Sequence, residues 1–176
     1  AAIPNDTALF VSSSRPIRDL EGFALPRSGV ETYANRGLAG IDGNISTALG
    51  IATAHKSTIA ILGDLSYLYD LTGLINKEAI NCRFIVINND GGGIFSTLPQ
   101  RGAVGFETVF GTPHGLNPAK IAESMGFAAK QISNLKELEA EIKAPTSGIS
   151  VVVCDVPDRE RNADNLKAIY EALNSI

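Results

Sequence analysis

The sequence predicts a doubly wound α/β domain in which helices cover both faces of a mainly parallel sheet. Strand-length apolar runs alternate with helix-period stretches along the chain, as expected when helical crossovers join parallel strands. The runs TIAIL, FIVI and SVVV are apolar without interruption, which is typical of strands buried on both faces. With 176 residues, 44% of them hydrophobic, the chain can bury a core of one domain's size. We therefore expect a single domain over residues 1–176.

The limits of the individual elements follow from the local pattern. β-branched and apolar residues predict five strands and a weaker sixth, and helical periodicity predicts six helices. A long stretch rich in glycine and proline, residues 96–116, predicts either a functional lid or a variable surface loop. The predicted strands are 8–12, 30–34, 58–62, 83–88 and 149–155, with the weaker one at 128–132, and the predicted helices are 15–24, 42–55, 65–80, 117–126, 134–143 and 158–175.

Charge and cysteine usage narrow the classes of function. The chain carries 15 Lys and Arg against 19 Asp and Glu, a formal charge of −4, without the basic face that nucleic-acid or membrane-surface binding requires. We therefore expect neither kind of partner. The opening residues AAIPNDT resemble no signal peptide, and no apolar stretch is long enough to span a membrane. Cys82 and Cys154 lie far apart and suit buried free thiols, so we expect a cytoplasmic protein.

Polar residues follow the third and fourth strands, where ligands bind in open parallel sheets. Asp64 comes after the third strand and Asn89 after the fourth. If these strands are neighbours, a right-handed crossover brings both side chains to one edge of the sheet. A carboxylate, an amide oxygen and a glycine carbonyl nearby are hard ligands that favour Mg²⁺ or Ca²⁺ over zinc. The alternative is structural: Asp64 caps a helix and Asn88-Asn89 forms a turn.

Backbone groups at the same junctions predict an anion site beside this metal site. The N–H groups of Leu65 and Ser66 open a helix, and the glycine-rich turn 91–93 offers more donors. Together these features predict a metal–diphosphate site.

Residues after the first two strands add charge and an apolar side chain to this edge. Arg18 and Arg36 are suited to bidentate binding of carboxylates or phosphate, although exposed surface arginines are the alternative. Ile41 lies among Gly37, Gly40 and Gly43, a pattern that differs from the dinucleotide fingerprint. His55 and His114 match no zinc or triad spacing and are interpreted as structural.

These motifs resemble a known superfamily. Gly63-Asp64 followed by NNDGGGIF is similar to the thiamin-diphosphate motif of the transketolase and pyruvate decarboxylase superfamily, although Leu65 stands where glycine is usual. S-x-P-I-R-D, NRGLAGIDG, GDLS and GGGIFSTLPQ, in this order, resemble the 2-succinyl-5-enolpyruvyl-6-hydroxy-3-cyclohexene-1-carboxylate synthases over nearly the whole chain. Ser12-Ser13 departs from the Gly-Asn often found in that family.

The resemblance implies roles for individual residues. Mg²⁺, with Mn²⁺ as an alternative, would be held by Asp64, Asn89 and the carbonyl of Gly91, and Ile41 would bend the cofactor into a V shape. The remaining implied cofactor contacts are Gly37, Gly63, Leu65, Ser66 and Gly92. The implied substrate residues are Ser14, Arg18 and Arg36, which would bind acidic groups, and Ile94, Phe95 and Leu98, which would line the apolar side of the pocket.

The resemblance also implies an activity. Members of that family decarboxylate 2-oxoglutarate and add the resulting succinyl-semialdehyde unit to isochorismate in menaquinone biosynthesis, and they are about three times as long as this chain. Their cofactor-activating glutamate lies in the pyrimidine-binding domain of a partner subunit. We therefore expect a carboxy-terminal diphosphate domain of a homo-oligomer that is inactive alone. The alternatives are the same domain of an acetolactate synthase or 2-oxoacid decarboxylase, and a non-catalytic nucleotide-binding α/β module.

Overall fold

The computed structural model describes residues 2–75 and 79–175, and its centre is a sheet of six parallel strands. The spatial order of the strands is β2-β1-β3-β4-β6-β5. This arrangement confirms the predicted parallel α/β fold and includes the weaker strand candidate. The strands are β1 (Ala8–Val11), β2 (Thr32–Tyr33), β3 (Thr58–Gly63), β4 (Cys82–Asn88), β5 (Ala128–Ile132) and β6 (Ile149–Asp155).

The helices agree with the sequence pattern except after β3. There the predicted helix 65–80 ends at Leu68, and a 3₁₀ turn follows at Leu71–Leu74; residues 76–78 of that prediction lie outside the described residues. The helices are α1 (Arg15–Phe23), α2 (Asn44–Ala52), α3 (Asp64–Leu68), α4 (Pro118–Ser124), α5 (Leu135–Lys143) and α6 (Arg159–Asn174).

The early end of α3 has a structural reason in Asp70. This buried carboxylate accepts the backbone N–H of Ser46 at 2.8 Å and lies 3.3 Å from its hydroxyl. Ser46 is in the first turn of α2, whose N-cap, Gly43, supplies no side-chain acceptor. Asp70 therefore satisfies a free donor at the start of another helix, and the chain leaves helical geometry there.

Two hydrophobic cores, one on each face of the sheet, confirm that helices cover both sides. Alternating strand residues contribute to opposite cores, as in Phe10 and Val11 of β1 or Ile85 and Val86 of β4. Helices α2, α3 and α4 pack on one face, whereas α1 and α5 pack on the other. No helix in the described part of the chain is both long and apolar enough to cross a membrane.

The strand order creates a crevice between β1 and β3. These two strands are neighbours, but the chain leaves β1 toward β2 on one side and leaves β3 toward β4 on the other. Connections that diverge in this way leave an opening at the carboxyl ends of the strands, which is where parallel α/β sheets bind ligands.

Both cysteines are buried and free, in agreement with the sequence. Burial raises the pKa of the Cys82 thiol to about 12 and, with a contribution from the charge of Asp155, that of Cys154 to about 11. Both thiols are therefore protonated and unreactive near neutral pH.

We predict that Arg83→Met destabilises the fold by roughly 2–4 kcal/mol, because it removes the charged donor shared by three backbone carbonyl groups. Arg83 is 7% exposed and its guanidinium donates to the backbone carbonyls of Glu141, Ala144 at 2.8 Å and Pro145 at 3.0 Å, at the end of α5. Urea unfolding measures the loss. Lys143→Met, which removes an exposed cation from the last turn of the same helix, should change stability by less than about 0.5 kcal/mol. Equal effects of the two substitutions would contradict this account.

Candidate functional site

A cleft of about 290 Å³ opens at the carboxyl edge of the sheet. The loops that follow the first four strands all contribute to it, so it lies at the crevice that the strand order creates. Its lining includes most of the residues that the sequence singles out. The predicted site residues in the lining are Ser14, Ile41, Gly63, Asp64, Leu65, Ser66, Asn89, Gly91, Gly92, Ile94 and Phe95.

Asp64 is the polar centre of the cleft. Its side chain is buried, and Oδ1 accepts the N–H of Leu65 at 2.7 Å. Oδ2 accepts the N–H groups of Asn89 at 3.1 Å and Gly91 at 2.9 Å. The carboxylate therefore fastens the turn after β4 to the start of α3, a larger structural role than the helix cap considered from the sequence. Because each carboxylate oxygen has about two acceptor positions and Oδ1 accepts only the Leu65 N–H, Oδ1 can still bind a further ligand.

Asn89 carries a buried oxygen without a partner. Its Oδ1 has no hydrogen-bond donor within the described structure, although β3 and β4 are neighbours and bring Asn89 beside Asp64 as predicted. Its amide nitrogen faces Gly93, where a Cβ would lie only 2.3 Å away. Since buried polar atoms are nearly always paired, an unpartnered oxygen on a residue that lines a cleft indicates a site for a ligand. Its chemistry, and that of the carboxylate beside it, fits a hard cation.

The glycine turn does not supply the free anion donors that the sequence predicts. The N–H of Gly91 donates to Asp64, that of Gly92 donates to the Gly111 carbonyl at 2.7 Å, and that of Gly93 donates to the Gly91 carbonyl at 2.9 Å. The Leu65 N–H is also taken by Asp64. The prediction missed this because these partners are distant in sequence or depend on turn geometry. An anion bound here would therefore depend more on a bridging cation than on these amides.

His114 lies beside Asp64, a position that the sequence does not predict. Its side chain is 9% exposed, and its Nε2 is 3.4 Å from Asp64 Oδ2. The N–H of Leu116 donates to Nδ1 at 3.0 Å, so we assign the ring proton to Nε2, which donates it toward Asp64. The fifty-residue separation from Asp64 gives no recognisable spacing. The only signal is its position in the long glycine- and proline-containing segment.

Apolar side chains also line the cleft, and together they form its apolar wall. Ile41, Ile87 and Ile94 line the cleft with Phe95, whose ring packs against Phe110 with centroids 5.3 Å apart. The cleft lining thus combines one apolar side chain from the loop after β2 with others from β4 and the turn after it.

The positive charge in the cleft lining comes from Arg15, which is not among the predicted site residues. Arg15 lines the cleft and pairs with Asp19, whose carboxyl pKa is raised by burial and partly lowered again by this arginine. Arg18 is exposed and donates to the Ser14 carbonyl at 2.6 Å. Ser14 itself has a strained φ of +76° at the start of α1. The predicted site residues outside the cleft lining are Arg18, Arg36, Gly37 and Leu98.

Comparison with known proteins identifies the family. Residues 22–156 match the family model described as "Thiamine pyrophosphate enzyme, C-terminal TPP binding domain". The chain belongs to this family. Thiamine pyrophosphate is another name for thiamin diphosphate, so the family match agrees with the cofactor that the sequence predicts.

Three curated relatives of this domain carry the same name. A 2-succinyl-5-enolpyruvyl-6-hydroxy-3-cyclohexene-1-carboxylate synthase of Thermobifida fusca is 38% identical over 98% of the chain, which corresponds to 32% of the relative. Proteins of that name from Staphylococcus haemolyticus and Staphylococcus aureus (strain MRSA252) are 39% and 40% identical over 99% and 96% of the chain, and over 31% and 30% of the relatives. The chain spans about a third of the length of these relatives.

We predict that Gly92→Ala destabilises the thiamine pyrophosphate domain by about 1–3 kcal/mol, the usual cost of overpacking. A Cβ at Gly92 would lie 2.1 Å from the Phe110 carbonyl oxygen, so the backbone must move and strain the hydrogen bond from Gly92 to Gly111. Thermal and urea unfolding measure the loss. Gly22→Ala is the matched control, because Gly22 is in α1 with open space around it. It should be neutral or stabilise by up to about 1 kcal/mol; similar losses for both variants would contradict the steric account.

Proposed function

We propose that this chain is the domain that binds thiamin diphosphate and Mg²⁺ in a synthase of the menaquinone pathway. In this proposal the whole enzyme decarboxylates 2-oxoglutarate and adds the succinyl-semialdehyde unit to isochorismate. The family match supports the cofactor, and the printed name of the relatives supports the transfer reaction. The observation that carries the metal site is the unpartnered, buried Oδ1 of Asn89, a residue whose backbone N–H donates to the Asp64 carboxylate.

Three oxygen donors would hold the metal ion. They are the Asp64 carboxylate, Asn89 Oδ1 and the Gly91 carbonyl, with Mn²⁺ as an alternative to Mg²⁺. Mg²⁺ is usually bound by a few protein oxygens together with phosphate oxygens and water. This preference agrees with a cleft whose glycine amides are already hydrogen-bonded within the protein. His114 would orient the Asp64 carboxylate through its Nε2–H group.

The apolar wall would hold the organic part of the cofactor. When bound, thiamin diphosphate supplies an electron sink for decarboxylation of a 2-oxo acid. Ile41 would contact it from one side, and Ile94 and Phe95 would exclude water from the other. Ser14 and Arg15 border the same cleft and would orient acidic substrate groups.

Arg18, Arg36 and Leu98 remain proposed substrate residues although they lie outside the cleft lining. Arg18 in α1 and Arg36 in the loop after β2 are exposed cations on segments that also contribute residues to the cleft lining, and they would meet the carboxylates of two acidic substrates. Leu98 is 40% exposed and would contribute an apolar contact beyond the cleft.

The remaining parts of the proposal concern the whole enzyme. Because the chain spans about a third of its relatives, we propose that a pyrimidine-binding domain of a partner subunit completes the site in a homo-oligomer. The two free thiols suit a reducing compartment, and we propose the cytoplasm.

Ligand-dependent thermal unfolding tests the cofactor and metal assignment. We expect Mg²⁺ with thiamin diphosphate to raise the melting temperature of the chain by several degrees, because a ligand at about 100 times its Kd stabilises by about 2.7 kcal/mol. Asp64→Asn should abolish this shift. Since Asp64 also binds three backbone N–H groups, the substitution lowers the ligand-free stability as well. The shift, not the melting temperature, is therefore the readout.

Asp70→Asn is the matched control, because Asp70 is another buried carboxylate that binds a backbone N–H but lies outside the cleft. It should keep the full ligand-dependent shift. A shift with NAD or ATP instead of thiamin diphosphate, or a shift that survives Asp64→Asn, would contradict the proposed site.

We also predict that the 176-residue chain alone releases no carbon dioxide from 2-oxoglutarate, because the cofactor-activating group of the proposed enzyme lies in another domain. Carbon dioxide release with Mg²⁺, thiamin diphosphate and isochorismate is the assay. The full-length enzyme is the positive control, and its choice among 2-oxo acids separates this synthase from an acetolactate synthase. Turnover by the chain alone at an enzyme-like rate would contradict the prediction.

A further inference from the structure

Arg159 connects the C-terminal helix to both loops that flank Asp64. It is the first residue of α6, and its side chain is only 12% exposed. Its Nη1 donates to the carbonyl of Asp90 and, at 2.9 Å, to that of Gly111, while Nη2 pairs with Glu107. One guanidinium thus binds the turn after β4 and the segment that carries His114.

The turn that Arg159 contacts is strained. Asp90 has a φ of +61° and Gly91 a φ of +127°, and a non-glycine residue in this region persists only where its surroundings hold it. The Asp90 carboxylate accepts the N–H groups of His114 at 3.0 Å and Gly115 at 2.8 Å. Arg159 holds the Asp90 carbonyl on the other side of the same residue.

Arg159 is also packed directly against Gly91. A Cβ at Gly91 would lie 2.7 Å from Nη1 of Arg159 and 2.2 Å from the Gly111 carbonyl oxygen. The guanidinium therefore occupies the space beside the residue whose carbonyl is the proposed third metal ligand.

Helix stability does not explain an arginine at this position. The start of a helix carries the positive end of its dipole, which disfavours a cation. Asp158 as N-cap and Glu160 in the turn follow the usual preference, whereas Arg159 and Arg161 do not. Arg159 is placed against this preference, and its contacts are with the site loops.

We propose that Arg159 is a positioning residue for the metal site: it fixes the Asp90–Gly91 backbone so that the Gly91 carbonyl is held ready for the cation. This inference rests on the proposed function, which supplies the identity of the ion. The positioning itself is a property of the chain without ligand.

Two measurements on Arg159→Met test this role. At saturating thiamin diphosphate, the Mg²⁺ concentration that gives half of the thermal shift should rise about tenfold or more, as is typical when a group that supports a metal ligand is removed. Without metal, amide hydrogen exchange in a peptide covering 88–95 should become faster. Arg159→Lys should recover part of both effects, because an ammonium can replace one carbonyl contact but not the fork.

Arg101→Met is the matched control. Arg101 also links the 96–116 segment to α6, through Glu160 and Asp164, but it contacts neither Asp90 nor Gly111 in the hydrogen bonds of the structure. It should leave the Mg²⁺ half-saturation and the exchange of 88–95 unchanged. Equal effects in the two variants would overturn the positioning role, because a general loosening of α6 would then explain both.

The two levels of the proposal fail in different ways. If the wild-type chain shows no Mg²⁺-dependent shift, the proposed function is wrong. In that case faster exchange in Arg159→Met would still support the positioning of the turn, and unchanged exchange would overturn it. If the wild type responds to Mg²⁺ but Arg159→Met has the same half-saturation and exchange, the inference fails while the proposed function stands.

Discussion

The carboxylate of Asp64 is the interaction on which the site depends. It accepts N–H groups from Leu65, Asn89 and Gly91 and so joins the ends of two neighbouring strands. The sheet fixes the relative position of these strand ends, because β3 is paired with β4 along its whole length. A polar group buried at a sheet edge is stable only when its partners are all in place. The same residue therefore organises the loops and offers a charge to the cleft.

The loops around this carboxylate are held from outside the sheet. Asp90 bridges the turn after β4 to His114 and Gly115, and Arg159 binds both sides of that junction from α6. The 96–116 segment contains a π-helical turn at Glu107–Gly111 and is tied to α6 by ion pairs. The loops at the end of the sheet are thus bound to a helix late in the chain.

The sequence predicts the sheet well, because continuous apolar runs identify strands buried on both faces. It also predicts that Asp64 and Asn89 meet, since this follows from the handedness of one crossover. The sequence prediction fails where contacts between residues distant in the chain determine the local structure. Helix α3 ends early because Asp70 binds Ser46, and the glycine amides have partners in another loop. His114 reaches Asp64 through a segment without periodicity, and no local pattern shows that Arg15, not Arg18 or Arg36, borders the cleft.

The size of the cleft has a consequence for affinity. Its volume of about 290 Å³ lies at the lower limit of ligand pockets, which commonly hold about 300–1,000 Å³. Thiamin diphosphate has two linked rings and a diphosphate, so under the proposed function this chain would enclose only one end of it. The binding energy would then be divided between two surfaces. In the proposed enzyme this domain would contribute the part that comes from charge and metal coordination, and the partner domain would shield the far ring from water.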